Sequence, residues 1–172
     1  MQEMRRRKKG WMNLRVVKIL EDSHDTKTLF LEDADDGGVC FDYIAGQYLT
    51  FRFDDISERP VVRSYTMSSS PCEASAVAIT VKREPEGLVS KLLTSKVEVG
   101  DTLRARGPIG KFTYDPNKDK KNLVMIAGGI GVTPFISIIR EFCHSPSSFP
   151  ETRGMSLFVS YKTSKDILFD TL

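Results

Sequence analysis

The chain has 172 residues, of which 40% are hydrophobic and 28% are charged, a composition that excludes collagen-like, low-complexity and wholly disordered proteins. Three widely spaced cysteines, Cys40, Cys72 and Cys143, exclude a disulfide scaffold, a zinc ribbon and an iron–sulfur cluster formed within this chain. Because this cysteine usage is typical of a reducing compartment, we expect a cytoplasmic protein. We expect no metal site, since the only histidines are His24 and His144, and we expect neither of them to be catalytic.

The net charge of +2 is unevenly distributed along the chain. The first ten residues carry five basic side chains against Glu3, a net +4, which leaves −2 for the remaining 162 residues. Residues 1–11 are therefore predicted to be a disordered basic leader. The body shows no basic strand face with interleaved aromatic residues, so we expect no nucleic-acid partner. The uncharged segment 123–139 is interrupted by glycines and Pro134, and we therefore reject a membrane span there.

Residues 12–114 are predicted to form an all-β domain. Apolar and polar side chains alternate most clearly at 48–53 and 77–82, as they do in half-buried strands. The full set of predicted strands is 13–20, 26–32, 48–53, 61–68, 77–82 and 102–107, with one helix at 88–95. Because closure removes exposed sheet edges, we expect a closed six-stranded antiparallel barrel of the Greek-key type, with one polar face on its strands.

The pattern changes after a polar run at 115–121, which we interpret as a linker. Residues 122–172 then predict the first part of an α/β nucleotide-binding domain. Its elements are a strand at 122–127, a helix at 133–143, a strand at 155–161 and a further helix beginning near Ser164. Continuous apolar strands favour a parallel sheet covered on both faces. Because one strand–helix–strand unit is too small for a stable sheet, we expect either a fragment or a partner that completes it.

The first motif that carries chemistry is Arg63-Ser64-Tyr65-Thr66 on a predicted strand. The Arg63 guanidinium can form forked hydrogen bonds with phosphate oxygens. Tyr65 can stack on a flat ring system such as that of a flavin, and the Thr66 hydroxyl can form a hydrogen bond with the ring nitrogen that receives hydride in a flavin. This pattern suits a flavin dinucleotide, although an ordinary amphipathic strand remains the alternative.

A second motif joins the end of a predicted strand to the start of the helix at 88–95. It comprises Val81, Lys82, Gly87, Leu88, Val89 and Ser90. Gly87 permits close approach of a ligand to the backbone. The first-turn N–H groups and the Ser90 hydroxyl would form an anion site. The alternative is a plain helix start in which Gly87 is only a loose cap.

A glycine-rich turn follows the strand at 122–127. Its members are Gly128, Gly129, Gly131, Thr133 and Pro134. The glycines would let a pyrophosphate lie against the backbone, while Thr133 suits a helix cap and Pro134 suits the first helical turn. The turn matches neither the G-x-G-x-x-G fingerprint nor a Walker loop.

The end of the next predicted strand reads Ser160-Tyr161-Lys162. A hydroxyl at Ser160 and a cation at Lys162 would suit an adenosine ribose or its 2′-phosphate. A solvated loop lysine is the alternative interpretation. The acidic residue that a Rossmann dehydrogenase places at this point is absent from the sequence.

In their order and spacing, these motifs resemble the ferredoxin–NADP reductase-like family of FAD-dependent oxidoreductases. The family's Arg-x-Tyr-Ser/Thr motif matches Arg63, Tyr65 and Thr66, and its Gly-x-x-Ser motif matches Gly87 and Ser90. The resemblance implies that Tyr65 and Thr66 are the catalytic contacts with the flavin. It also implies FAD-binding roles for Ser64, for the Val81–Lys82 backbone and for the helix start, and nicotinamide-nucleotide contacts for the glycine-rich turn. Family members usually carry an arginine where Lys162 stands nearest.

The resemblance implies a flavin-dependent NAD(P)H reductase module. Hydride would pass from NADH or NADPH to FAD, and single electrons would then pass to an iron–sulfur protein or domain. Two alternatives stay open at this point. One is a FAD-binding electron-transfer subunit that does not itself oxidise NAD(P)H, and the other is a non-catalytic barrel that acts as a binding module.

Overall fold

The computed structural model describes residues 10–73, 75–119, 121–150 and 152–170, so the predicted basic leader lies almost entirely outside the described residues. The strands are β1 (Trp11–Ser23), β2 (Thr26–Asp33), β3 (Tyr48–Phe53), β4 (Val61–Thr66), β5 (Val77–Lys82), β6 (Thr102–Ile109), β7 (Asn122–Gly128) and β8 (Gly154–Ser160). The α-helices are α1 (Leu88–Ser95) and α2 (Thr133–His144). Short 3-10 helices span Gly129–Val132, Pro146–Ser148 and Ser164–Asp166.

The first six strands form one antiparallel sheet in the order β4-β3-β6-β1-β2-β5. The sheet curls around a core in which Leu14, Leu29 and Phe51 are at most 1% exposed. Alternate residues of each strand point into this core, which is the geometry that period-two patterning predicts. The all-β prediction for this part of the chain is therefore confirmed.

The barrel is not closed, so the expectation of full closure is wrong. Within the described residues, the edge strands β4 and β5 do not pair, and an isolated bridge joins Met67, the residue after β4, to Ile79 of β5. Helix α1 instead lies beside β5 and buries Val89 and Leu93 in the core. A helix beside an edge strand can cover that edge, as a paired strand would. The unpaired lengths of β4 and β5 leave a gap between the two strands.

Strand β5 is buried on both faces, although its sequence alternates like a strand with one polar face. Its core-facing residues are apolar. On the other face Ala78 and Thr80 are 0% and 3% exposed. The segment after β4 and helix α2 cover this face, and the Ser137 hydroxyl of α2 donates to the Ser69 carbonyl at 2.6 Å. The prediction failed because the covering elements come from elsewhere in the chain.

Strands β7 and β8 form a separate parallel pair. One face packs toward α2, where Ile138 joins a small core with Tyr114 and Phe149. The other face exposes three apolar side chains, Val124 at 63%, Ile126 at 75% and Phe158 at 62%. Within the described residues, the expectation of a sheet covered on both faces is therefore wrong. None of the described helices combines the length and apolar character that a membrane crossing requires.

Candidate functional site: two adjoining clefts

A cleft of about 350 Å³ lies in the gap between β4 and β5, within the size range of small-molecule sites. It collects eleven residues that the sequence predicted, namely Arg63, Ser64, Tyr65, Thr66, Lys82, Gly87, Leu88, Val89, Ser90, Gly131 and Thr133. It adds three that sequence reasoning missed, which are Thr80, Glu84 and Ile130. We refer to it as the first cleft.

The pleat of β4 decides which face of the sheet each of its side chains points to. Arg63 pairs with Phe51 of β3, whereas Ser64 pairs with Thr50 and shares a 3.0 Å hydroxyl hydrogen bond with it. Adjacent residues of a strand point to opposite faces, so Arg63 and Tyr65 share one face and Ser64 lies on the other. The Arg63 guanidinium is exposed and donates to the Val62 carbonyl at 2.8 Å.

Tyr65 is a half-buried ring on the wall of the first cleft. Its centroid lies 6.0 Å from that of Phe51 at an interplanar angle of 60°, a favourable tilted aromatic pair. Burial raises the pKa of the Tyr65 phenol to about 12, although the Arg63 charge opposes the shift. The phenol therefore stays neutral near pH 7. This suits a group that packs against or hydrogen-bonds a ligand and does not suit a base.

The start of α1 forms the opposite wall. The Ser90 hydroxyl accepts a hydrogen bond from the Glu84 N–H at 3.1 Å and donates to the Gly87 carbonyl at 3.3 Å. A Cβ atom added at Gly87 would overlap the Ser90 hydroxyl and lie 2.9 Å from the Glu84 Cβ. The turn therefore requires glycine. Because Ser90 is engaged in the turn, the free first-turn N–H groups of α1 are the better anion donors.

The glycine-rich turn presents bare backbone to open space. Nothing lies within 4 Å of an ideal Cβ at Gly128, Gly129 or Gly131, and Gly129 has a φ of +49°. Thr133 is the first residue inside α2 and its hydroxyl donates to the Ile130 carbonyl at 3.2 Å. The predicted capping role of Thr133 is therefore wrong, because a 3-10 turn precedes the helix and shifts its start.

Two predicted residues line neither cleft. Val81 is 0% exposed and points into the core, so only its backbone remains available to a ligand. Pro134 lies in the first turn of α2, as the sequence predicts, but it does not border the cavity.

A second cleft of about 810 Å³ lies between the glycine-rich turn and the end of β8. It contains the predicted Gly128, Gly129, Ser160 and Lys162. Residues that sequence reasoning did not assign also line it, among them His24, Asp25, Arg83, Tyr161, Thr163, Lys165 and Asp166. Lys82, Glu84 and Ile130 line both clefts, so the two spaces adjoin.

Lys82 carries an ion pair at this shared wall. Its ammonium lies 2.9 Å from Asp166 Oδ1 and 3.3 Å from Asp25 Oδ2. The hydrogen bond with Asp166, reinforced by Asp25, raises the pKa of Lys82. Sequence reasoning missed this contact because Asp166 is 84 residues away along the chain. An atom of His24 lies within 4.8 Å of these carboxylates, but the cation between them is Lys82.

The chemistry of both clefts suits a dinucleotide. The first offers the Arg63 guanidinium, the α1 N-terminus and the Tyr65 ring, which can take phosphate and a flat ring system. The second offers bare glycine backbone beside the cations Arg83 and Lys162. Two ligands held in these adjoining spaces would lie next to one another.

Two family models match the chain. Residues 13–114 match the oxidoreductase FAD-binding domain, and residues 120–168 match the ferric reductase NAD binding domain.

Curated relatives cover almost the whole chain. The glycine betaine monooxygenase reductase subunit of Chromohalobacter salexigens is 36% identical over 162 residues, which are 93% of this chain and 41% of that protein. NADH-cytochrome b5 reductase 2 of Emericella nidulans is 34% identical over 159 residues, which are 92% of this chain and 48% of that protein. The chain thus spans less than half the length of these relatives.

Solved structures share the fold. The FAD/NAD binding domain of nitric oxide dioxygenase from Vibrio cholerae O1 biovar El Tor superposes with a TM-score of 0.81 at 27% identity, covering 95% of this chain and 67% of that chain. Phthalate dioxygenase reductase superposes with a TM-score of 0.76 at 23% identity, covering 93% of this chain and 46% of that chain.

Proposed function

Because the chain belongs to the FAD- and NAD-binding oxidoreductases of the ferredoxin–NADP reductase type, we propose that it is the flavin-binding part of an NAD(P)H reductase. When bound, FAD accepts a hydride from NADH or NADPH and releases its electrons one at a time.

The observation that carries the proposal is the wall that the two clefts share. Lys82, Glu84 and Ile130 border both the space beside β4 and the space beside the glycine-rich turn. Hydride transfer requires the donor and acceptor rings in direct contact, and adjoining clefts supply the proximity that such a reaction needs. A protein that only bound a flavin would not require the second cleft.

In the first cleft, the chain's residues would bind and orient the flavin. Arg63 would hold the pyrophosphate together with the first-turn N–H groups of α1. Tyr65 would pack against the ring system, and the Thr66 hydroxyl would hydrogen-bond the nitrogen that gains hydrogen. Ser64 and the backbone at Val81 and Lys82 would contact the sugar-like chain. These are binding and positioning roles, and no side chain is required as an acid or base for hydride transfer.

In the second cleft, the chain's residues would hold the nicotinamide nucleotide. The bare backbone at Gly128 and Gly129 would lie against its pyrophosphate, because no side chain fills that space. Ser160 and Lys162 would bind the adenosine ribose or its 2′-phosphate. Thr133, which lines the first cleft, would lie where the two ligands meet.

We propose an iron–sulfur protein or domain as the electron acceptor, as the family resemblance implies. A relative named as a monooxygenase reductase subunit supports an oxygenase-type partner. We also propose a cytoplasmic location, because the few, widely spaced cysteines of the sequence are typical of a reducing compartment.

The test is to load the chain with FAD, desalt it, record the visible spectrum and then titrate NADH or NADPH without oxygen. We expect a retained, structured flavin band that bleaches with one of the two nucleotides. A retained flavin that neither nucleotide bleaches would favour an electron-transfer subunit reduced by another protein. A colourless protein with a native circular-dichroism spectrum would reject the flavin site itself.

A further inference from the structure

A chain of hydroxyl groups leads from the first cleft to the carboxylate of Asp22. Thr80 lines the cleft, and its Oγ1 lies 2.7 Å from Thr28 Oγ1. The Thr28 hydroxyl lies 2.7 Å from Asp22 Oδ2, to which it donates. Thr28 and Thr80 are each 3% exposed, so the path is shielded from bulk water.

The register of the sheet creates this path. Thr28 of β2 pairs directly with Thr80 of β5, so both hydroxyls lie on the same face. The pairing of β1 with β2 shifts between Glu21 and Ser23, which makes Asp22 the extra residue of a bulge. A bulge redirects a side chain that would otherwise follow the pleat. Here the Asp22 carboxylate reaches the hydroxyl of a neighbouring strand.

The hydrogen bonds have a direction. An ionised carboxylate only accepts, so Thr28 gives its hydrogen to Asp22 and must accept one from Thr80. Thr80 has then given its own hydrogen away, and its oxygen is left to accept from other groups. One such group is Ser68, whose hydroxyl lies 2.9 Å away. Because Thr80 lines the first cleft, a donor bound there can use the remaining acceptor position of its oxygen. The network is thus aligned to move a proton from the cleft to Asp22.

The proposed reaction requires such a transfer, and the inference rests on that function. A hydride brings one proton and two electrons into the flavin site. The electrons leave singly to an acceptor of the iron–sulfur class, which takes no proton. For every hydride that enters, one proton must therefore leave the site by another route.

We propose that Asp22 is the proton acceptor of this site and that Thr80 and Thr28 relay the proton to it. Thr80 would accept a proton released by a flavin bound in the first cleft, while the hydroxyl proton of Thr80 would pass to Thr28 and that of Thr28 would pass to Asp22. Each hydroxyl loses one proton and gains one, so Asp22 becomes a neutral carboxylic acid. Asp22 is half-buried and later returns the proton to solvent.

The surroundings of Asp22 suit this role. Burial raises the pKa of its carboxyl above the usual value, although the Thr28 hydrogen bond and the Arg140 charge oppose the shift. Arg140 projects from α2 and is the charged group that acts on Asp22 within the described residues. A carboxylate with a raised pKa takes up a proton more readily than an exposed aspartate does.

The experiment uses the chain loaded with FAD and reduced with a stoichiometric amount of dithionite. Stopped-flow mixing with ferricyanide, a one-electron acceptor that carries no proton, gives the reoxidation rate as a function of pH in H₂O and D₂O. We expect Asp22→Asn and Thr28→Val to lower the rate by about tenfold or more, as loss of a positioned proton acceptor does. We also expect Asp22→Asn to remove the rise in rate with pH that Asp22 causes.

Ser68→Ala is the matched control, because Ser68 contacts Thr80 but lies off the path to Asp22. It should behave as wild type. The relay is rejected if Asp22→Asn keeps the wild-type rate, pH profile and solvent isotope effect. Circular dichroism reports whether Thr28→Val folds. If that variant does not fold, the shape-conserving Asp22→Asn variant alone tests the relay. Failure of the proposed function can be distinguished from failure of the relay. In that case the wild-type chain would retain no flavin, before any reoxidation is measured.

Discussion

The Lys82 ammonium lies 2.9 Å from Asp166 Oδ1, and this ion pair joins β5 of the six-stranded sheet to the 3-10 turn after β8. Asp166 Oδ2 simultaneously accepts the Thr163 N–H at 3.0 Å and the Thr163 hydroxyl at 2.7 Å. Both carboxylate oxygens are therefore engaged. Because Lys82 borders both clefts, the pair fixes the position of the wall that they share.

This contact predicts a loss of stability in acid. The hydrogen bonds from Lys82 and Thr163 lower the pKa of Asp166 from 3.8 to about 2. A lowered carboxyl pKa adds stability above the unfolded-state pKa, and that stability disappears as the pH falls through the folded-state value. We expect the melting temperature of the wild type to fall from about pH 4 toward pH 2, where the Asp166 contribution is lost. Asp166→Asn should melt lower at pH 7 and show a shallower fall.

The control for this prediction is Asp115→Asn. Asp115 pairs with Lys118 at 2.8 Å on the surface, and its pKa is also lowered by that hydrogen bond. An exposed pair within one turn of chain contributes little to folding. Asp115→Asn should therefore change the melting curve much less than Asp166→Asn at every pH. Equal effects of the two variants would show that the Lys82 contact has no special role.

The Tyr65 ring should matter more than its hydroxyl. We expect Tyr65→Ala to weaken FAD binding by about fivefold, because it removes an aromatic face worth roughly 1 kcal/mol. Tyr65→Phe keeps the ring and should retain most of the affinity. Equilibrium dialysis and the shape of the flavin absorbance band measure both. Unchanged binding in Tyr65→Ala would reject the packing role.

Arg63 should distinguish FAD from FMN. Its proposed partner is the pyrophosphate, and FMN has only one phosphate. We expect Arg63→Ala to weaken FAD binding by a larger factor than FMN binding, in titrations that follow flavin fluorescence. Arg59→Ala supplies the control, since Arg59 is exposed and lines neither cleft. Equal losses for the two flavins in Arg63→Ala would contradict the assignment.

Two glycines should respond to the same substitution in opposite ways. Gly87→Ala places a Cβ against Ser90 and Glu84, and we expect it to destabilise the fold by about 1–3 kcal/mol, as overpacking does. Gly128→Ala places its Cβ in open space, so the melting temperature should stay near the wild-type value. The new methyl group should nevertheless weaken binding of the nicotinamide nucleotide. Urea denaturation and a nucleotide titration of both variants separate the two effects.

Local pattern was sufficient for most elements. The alternation at 48–53 and 77–82 predicted β3 and β5 with their observed bounds, and the leucine-rich segment predicted α1. In a strand every second residue faces the core, and in a helix every third or fourth residue does. Residues close together in the sequence therefore suffice to predict such an element. The motif around Arg63 likewise lies on one strand, and because that strand is at the edge of the sheet, residues of both its faces border the same cleft.

Other features depended on residues far apart in the chain. Sequence reasoning treated Thr80 as part of a solvent-facing row, because nothing local indicates that the segment after β4 and α2 cover that face. It did not predict the ion pairs of Lys82 with Asp25 and Asp166, because residues so far apart in the chain form no recognisable sequence pattern. It expected a closed barrel because six strands can close, whereas the observed edges are separated and α1 lies beside β5.

The sequence by itself therefore determined the strands, the helices α1 and α2 and the residue types that can bind two dinucleotides, because these follow from local backbone preferences and side-chain chemistry. The further helix predicted from Ser164 is instead a single 3-10 turn, Ser164–Asp166. Only the tertiary structure decided that the two clefts share a wall at Lys82 and that a bulge aims Asp22 at Thr28. Both relationships arise from the register and packing of separate elements. Burial and charge pairing across such distances depend on the whole fold, and no short stretch of sequence encodes them.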